Sequence, residues 1–447
     1  MKLFRAIICF SLTMAGSLAH CADYVTEYEI VSPIYTNVSG GYETKMGLSV
    51  SFTTDGALAP NLDKVDVLAN IRGINLDDGL FSGTNGSIAV LPGSPIVVST
   101  DGQGQITQAK FKLASIDSAA GKEGSVNHWK VELINGRFSV SSINNAGCLT
   151  WISKVCSSFG KPASWAAAKG IGYINQSVYP KFNAIYVFGD SNSDNGRRKK
   201  LIGFPQSPYW EGRHSDGPVA VEYLASTLGI PLANRFDYAV GGAMTGMNNV
   251  NPNPELIDTG VLGQMETFKQ QLGNDRADPG ALYFIKVGVN DFVGCGYPEA
   301  TQCNPDQIRQ MVGNVGIFIR KLYALGARNI FLSSEINGIG DVIRPFNTQL
   351  HTEFLTIAEA SSGNFIYYNY ADFFDRQTAQ ENTYGFTKIA PAYCFHGNYL
   401  GAGTVCDYPG RYAFWDQYFH GTTRAMHGWA DDMATHLKTN WTSISEL

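Results

Sequence analysis

Charge is scarce in this chain: Asp, Glu, Lys and Arg make up 16 % of it and leave a formal net charge of −6. No long basic stripe is available to neutralise a phosphate backbone, which argues against nucleic acid as a partner. Beyond the N-terminus no stretch reaches the roughly 18 uninterrupted apolar residues that a membrane span needs. No transmembrane segment is therefore expected once the leader is removed. The C-x2-C spacing that would signal a zinc site is missing, as are fixed-period repeats and low-complexity tracts.

What the chain does have is apolar mass. Apolar residues make up 44 % of its 447 residues, with 22 Tyr and 25 Phe among them. That is enough for a globular protein with more than one core. At the start, Lys2 and Arg5 precede an apolar run from Ala6 to Ala19 that ends in Ser17-Leu18-Ala19. This reads as a signal peptide over 1–19 and predicts a secreted protein, extracellular or periplasmic. Cys21 hints at an outer-membrane lipoprotein, but His20 stands where a lipobox needs a small residue. Cys9 leaves with the leader. Six further cysteines fall in near pairs, Cys148/Cys156, Cys295/Cys303 and Cys394/Cys406. In an oxidising compartment, proximity favours these as loop staples, free buried thiols being the other reading.

Residues 23–145 carry short stretches rich in Val, Ile, Thr and Tyr, separated by Gly, Asn and Asp clusters. These are Tyr28–Ser32, Lys45–Thr53, Lys64–Ile71, Gly86–Leu91, Ile106–Leu113 and Val126–Leu133. They predict a smaller all-β, sandwich-like domain. Residues 146–180 read as a linker with a short helix near Ser164–Lys169. From 181 to 447, buried strands (Ala184–Phe188, Ala281–Val287, Asn329–Leu332) alternate with helical segments (Pro218–Leu228, Pro305–Leu325, Phe346–Ala360). That alternation predicts an α/β domain, a parallel sheet with helices on both faces.

Ligands of open α/β sheets gather where strands end. After the first strand comes Gly189-Asp190-Ser191-Asn192-Ser193-Asp194. Gly189 lets the chain turn and Ser191 would stand exposed beside backbone N–H groups; taken alone the stretch equally fits a polar turn. Next comes Val240-Gly241-Gly242-Ala243, where paired glycines permit close backbone approach. Then comes Gly288-Val289-Asn290-Asp291, with an amide able to donate to developing negative charge. Near the C-terminus lie Asp416 and His420, four apart, so one turn would join them. A hydroxyl nucleophile needs such a base, and the base needs a carboxylate to fix its tautomer.

Together these four blocks resemble the GDSL, or SGNH, hydrolase family over roughly Phe182 to Leu437. Gly212-Arg213-His214-Ser215-Asp216-Gly217-Pro218, Leu325-Gly326-Ala327-Arg328 and Tyr384-Gly385-Phe386 also fit. Within the family the chain looks most like secreted bacterial phospholipase, lysophospholipase and glycerophospholipid-cholesterol acyltransferase enzymes, and thermolabile-haemolysin-like lipases. The resemblance implies Ser191 as nucleophile, His420 as base and Asp416 as its orienter. It implies an oxyanion hole from Ser191 N–H, Gly242 N–H and the Asn290 amide, with Asp194 and Asp291 shaping loops and His427 structural. No metal and no cofactor is implied. Two departures surround the base: the family's Asp-x-x-His is here Asp416-x-x-x-His420, and its Pro after the His is Gly421.

The expected activity is hydrolysis of carboxylic esters of lipids, of phospholipase A or lysophospholipase type, with transfer to another alcohol as a variant. The substrate partner would be a lipid or other ester, met at a membrane surface. Tyr393–Trp415 would form a stapled lid or acyl wall, or else an ordinary surface loop. Arg197-Arg198-Lys199-Lys200 would meet phosphate head groups, or else form a solvated charge run. Two other readings are a carbohydrate acetyl-esterase with a glycan-binding N-terminal domain, and a non-catalytic surface-binding protein.

Overall fold

Along Ile106–Ser115 buried and exposed side chains nearly alternate, so one face of the strand covers a core and the other meets solvent. The computed structural model describes residues 24–441 apart from 117–124, 153, 297–302, 337–342 and 380–383. The expected leader at 1–19 and Cys21 lie outside the described residues.

The N-terminal region is built from two antiparallel sheets. One has five strands in the order Tyr173–Pro180, Tyr24–Val31, Ser49–Asp55, Ile71–Asp77, Ser82–Thr84. The other runs through Ser125–Ile134 and Ile106–Ser115 at its centre. A core of buried side chains that includes Tyr28, Phe52, Phe111 and Trp129 belongs to this region.

Two local expectations are corrected. The described residues of 146–180 hold no helix: nearly all belong to the strands Arg137–Ile152, Val155–Ile171 and Tyr173–Pro180. In the stretch read as helical, Ser164, Ala166 and Ala168 are buried while Trp165 and Lys169 are exposed. That is a period of two, and pairing with Arg137–Ile152 overrides the helical preference of alanine. Lys64–Ile71 is likewise no single strand. It is a two-residue strand, Val65–Asp66, then a 3-10 turn, before the next strand starts at Ile71.

From residue 185 the hydrophobic pattern lengthens into buried runs. Five parallel strands result: β1 (Ile185–Gly189), β2 (Arg235–Asp237), β3 (Leu282–Lys286), β4 (Asn329–Ser333) and β5 (Asn364–Tyr368). Every side chain of β3 and β4 is buried, as expected of strands covered on both faces. The helices are α1 (Arg197–Ile202), α2 (Ala220–Thr227), α3 (Val261–Leu272), α4 (Pro305–Leu325), α5 (Arg344–Glu359), α6 (Tyr370–Thr378) and α7 (Thr423–Asn440). The strand order β2-β1-β3-β4-β5 reverses direction at β1. The crevice at the carboxyl ends of β1 and β3 is then the place where such a sheet binds ligands.

The β region is braced on α2 and α7. Asn75 donates to Thr227 Oγ1 (2.8 Å), Thr53 to the Thr227 carbonyl (3.0 Å), and Arg424 on α7 to Asp77 (3.0 Å). Gly73 permits this approach, since a Cβ there would lie 1.9 Å from the Ser226 carbonyl oxygen. Among the described residues no helix is long and apolar enough to cross a membrane.

Candidate active site

Ser191 stands two residues past the end of β1. Gly189 makes this possible: its φ is +154° and a Cβ there would lie 2.1 Å from the Lys286 carbonyl oxygen on β3. Gln264 of α3 clamps the same residue by accepting from Gly189 N–H (2.9 Å) and donating to its carbonyl (2.8 Å). Neither Ser191 N–H nor Gly242 N–H donates to another group among the described residues. Both residues line one cavity of about 800 Å³, together with Asn290 and His420.

Two carboxylates, buried Asp194 and half-buried Asp291, hold the loops that carry these donors. Asp194 accepts from the N–H groups of Gly196 (2.8 Å), Arg197 (2.5 Å), Arg198 (3.1 Å) and Gly241 (2.8 Å). It thereby ties the loop after β1 to the loop after β2. Asp291 accepts from Thr245 N–H (2.8 Å) and Thr245 Oγ1 (2.7 Å), tying the loop after β3 to the same place. Burial pushes the Asp291 carboxyl up to about 6 despite those bonds. Asn290 donates one amide hydrogen to the Ala243 carbonyl (3.0 Å), which orients the side chain and leaves its second hydrogen for the cavity.

His420 sits between the strand Tyr412–Phe414 and α7, whose first turn is capped by Thr422. Its Nε2 is 2.8 Å from Ser191 Oγ, and its Nδ1 is 2.8 Å from Asp416 Oδ2 and 2.9 Å from Oδ1. All three side chains are buried. The extra residue between Asp416 and His420 is taken up by the turn: Phe419 adopts φ +61°, and its N–H donates to the Asp416 carbonyl (3.2 Å). Asp416 is held further by Tyr209 Oη–H (2.8 Å) and Tyr418 N–H (2.9 Å). The hydroxyl, imidazole and carboxylate thus form one hydrogen-bonded line, an arrangement able to activate an alcohol for acyl transfer.

Of the other histidines, His214 is here and His396 is not. His214 is fully buried, its ring centroid 4.9 Å from that of His420, and neither ring nitrogen has a partner among the described residues. Burial, then the nearby His420 and Arg198, hold its pKa well below the usual value, so it is neutral. His396 is exposed and stacks on Tyr393. His427 stacks on Tyr223, away from the cavity. Three of the four basic residues separate: Arg198 lines the cavity, Arg197 donates to the Tyr238 carbonyl (2.7 Å), and Lys200 is exposed.

Sequence reading missed a charged wall of the cavity. Lys286 and Glu335 are both buried and 2.7 Å apart, with Asp190 3.9 Å from the same ammonium. Burial works against the lysine charge, but Asp190 and Glu335 outweigh it and hold the pKa of Lys286 above its ordinary value. The available signal was a lysine inside the apolar run of β3 and a glutamate two residues past β4. Opposite charges at adjacent buried strand ends need one another. Tyr209, Tyr399 and Tyr418 gave no such signal.

The structure joins Cys148 to Cys156, Cys295 to Cys303, and Cys394 to Cys406. The last encloses Tyr399, which lines the cavity. Most of the Cys295/Cys303 loop lies outside the described residues.

Residues 185–433, more than half of the chain, match the family described as GDSL-like Lipase/Acylhydrolase. A GDSL esterase/lipase of Arabidopsis thaliana is 25 % identical over 59 % of this chain and 86 % of its own length. A phosphatidylcholine-sterol acyltransferase of Aeromonas hydrophila is 33 % identical over 34 % of this chain and 44 % of its own length. Among solved structures, a member of the lipolytic protein G-D-S-L family from Veillonella parvula overlaps 56 % of this chain and 98 % of its own at 16 % identity, with a TM-score of 0.30. The chain belongs to the GDSL-like lipase/acylhydrolase family and is an ester hydrolase.

Proposed function

We propose that the protein is a secreted lipid esterase of phospholipase A or lysophospholipase type, working through an acyl-enzyme on Ser191. One observation carries the reading: Ser191 Oγ, His420 and Asp416 are linked by bonds of 2.8 Å, and Ser191 and His420 line a large cavity.

In this mechanism Ser191 Oγ attacks the ester carbonyl while His420 Nε2 takes its proton and Asp416 steadies the imidazolium. The oxyanion is met by Ser191 N–H, Gly242 N–H and the Asn290 amide, donors worth about 3–4 kcal/mol each in similar sites. His420 then gives the proton to the departing alcohol. Water, deprotonated by the same imidazole, releases the acid; a bound alcohol in place of water gives acyl transfer. The size of the cavity, about 800 Å³, favours a long acyl chain over acetyl. Three disulfides support export to an oxidising compartment.

The test is labelling by a fluorophosphonate probe, expected in the wild type and lost in Ser191→Ala. Hydrolysis of esters of rising chain length completes it. A label that survives Ser191→Ala, or a preference for acetyl esters, defeats the reading.

A further inference from the structure

Among the described residues three charged side chains besides the catalytic His line the cavity, and two of them, Lys286 and Glu335, are spent on each other. The third is Arg198. It is only 7 % exposed, its Nε has no hydrogen-bond partner, and no carboxylate among the described residues pairs with it. Its guanidinium instead lies over the Tyr399 ring, 5.3 Å from the centroid. A buried cation without a counter-charge is costly unless something supplies one.

Its position says which part of a substrate would do so. A Cβ on Gly241 would meet both His214 Cε1 (2.4 Å) and Arg198 Cδ (3.0 Å), so the two side chains flank the same backbone. The rings of His214 and His420 are in turn neighbours. Arg198, His214 and Tyr399 therefore form a cluster on the imidazole side of the site, where the departing alcohol collects its proton. His214, held neutral, does not repel an approaching cationic side chain or compete for its anion.

We propose that Arg198 recognises a phosphate oxyanion carried on the alcohol half of the ester, a few bonds beyond the departing oxygen, as in a glycerophospholipid. The inference rests on the assignment of Ser191 and His420 above and on the phospholipid reading of their site, and adds the side chain that recognises the phosphate. A guanidinium fork matches tetrahedral oxyanions through paired, charge-assisted hydrogen bonds, and stacking on Tyr399 fixes its plane.

The test compares lysophosphatidylcholine with a monoacylglycerol of the same acyl chain, in wild type, Arg198→Gln, Arg198→Lys and the exposed control Lys200→Gln. The ratio of kcat/KM for the phospholipid to that for the neutral lipid should fall by about tenfold or more in Arg198→Gln. It should recover partly in Arg198→Lys and hold in Lys200→Gln. Glycerol 3-phosphate should inhibit hydrolysis of a neutral p-nitrophenyl ester more strongly than inorganic phosphate does. Equal inhibition by the two would assign the guanidinium to free phosphate and overturn the head-group source. An unchanged ratio, or an equal loss on both lipids, with fluorophosphonate labelling intact, overturns the role of Arg198. Loss of labelling specificity for Ser191 would overturn the catalytic assignment instead, so the two failures are separable. If Arg198→Gln does not fold, Arg198→Lys and the inhibition constants decide.

Discussion

Asp416 Oδ2 lies 2.8 Å from His420 Nδ1 although three residues, one more than the family's usual two, separate them in the chain. The added length is absorbed by Phe419 in the left-handed region, a conformation costing a non-glycine residue on the order of 1 kcal/mol. Its ring packs edge-on to Phe414, and the bonds from Tyr209 and Tyr418 hold the carboxylate in place.

Asp416→Asn should therefore lower kcat by about 1,000- to 10,000-fold, because an amide in this position stabilises the wrong tautomer and no imidazolium. Steady-state kinetics on a soluble ester measure it. A loss under tenfold would remove Asp416 from the mechanism.

Asn290→Ala should lower kcat by about 100- to 1,000-fold with little change in KM, since its amide acts on charge that appears only in the transition state. A rise in KM at constant kcat would make Asn290 a ground-state binding group.

Lys286→Met should destabilise the fold by about 3–5 kcal/mol, because Glu335 and Asp190 would be left buried without their cation. The double variant Lys286→Met/Glu335→Leu should recover much of that loss. Denaturant titrations decide, and additive losses in the double variant would contradict the coupling.

Glu27 is buried at the junction of the two regions, where it accepts from Tyr179 Oη–H (3.1 Å), and burial raises its pKa from 4.5 to about 7. The unfolded carboxyl ionises first as pH rises. The stability this group provides is thus complete below about pH 4.5 and is lost as pH rises through about 7. Glu27→Gln should flatten the fall of Tm between pH 5 and 8. An unchanged slope would assign the pH dependence elsewhere.

Replacing Cys394 and Cys406 together by Ser should raise KM several-fold more than it lowers kcat, because the stapled loop places Tyr399 on the cavity wall while the catalytic line stays intact. Loop-closure entropy predicts a stability loss of about 2–3 kcal/mol. Unaltered KM would mean that Tyr399 keeps its place without the staple.

The readable parts of this protein were those whose signal is local. The buried runs of β1, β3 and β4 and the spacing of α4 stand in the sequence because each element must bury its own face. Gly189, Gly242 and the polar residues beside them were legible because sharp turns at strand ends admit few residue types. The strands from 137 to 180 were not. Their small, alternating side chains gain their meaning only from partner strands, and the Ala-rich stretch carries a contrary helical preference of its own. The same holds for Arg198: four basic residues in a row look alike, and only the turn of α1 aims one of them inward.

The sequence by itself determined which chemical groups are present and at which strand ends they stand, because backbone geometry ties turn residues to local positions. Tertiary structure alone decided whether Asp416 still reaches His420 across one extra residue, which charges are paired, and which cation faces the cavity. The first turns on how one tight turn is held by side chains from elsewhere; the others join residues far apart in the chain, 49 positions for Lys286 and Glu335 and 347 for Arg424 and Asp77, and a local pattern carries no information about such separations until the fold brings them together.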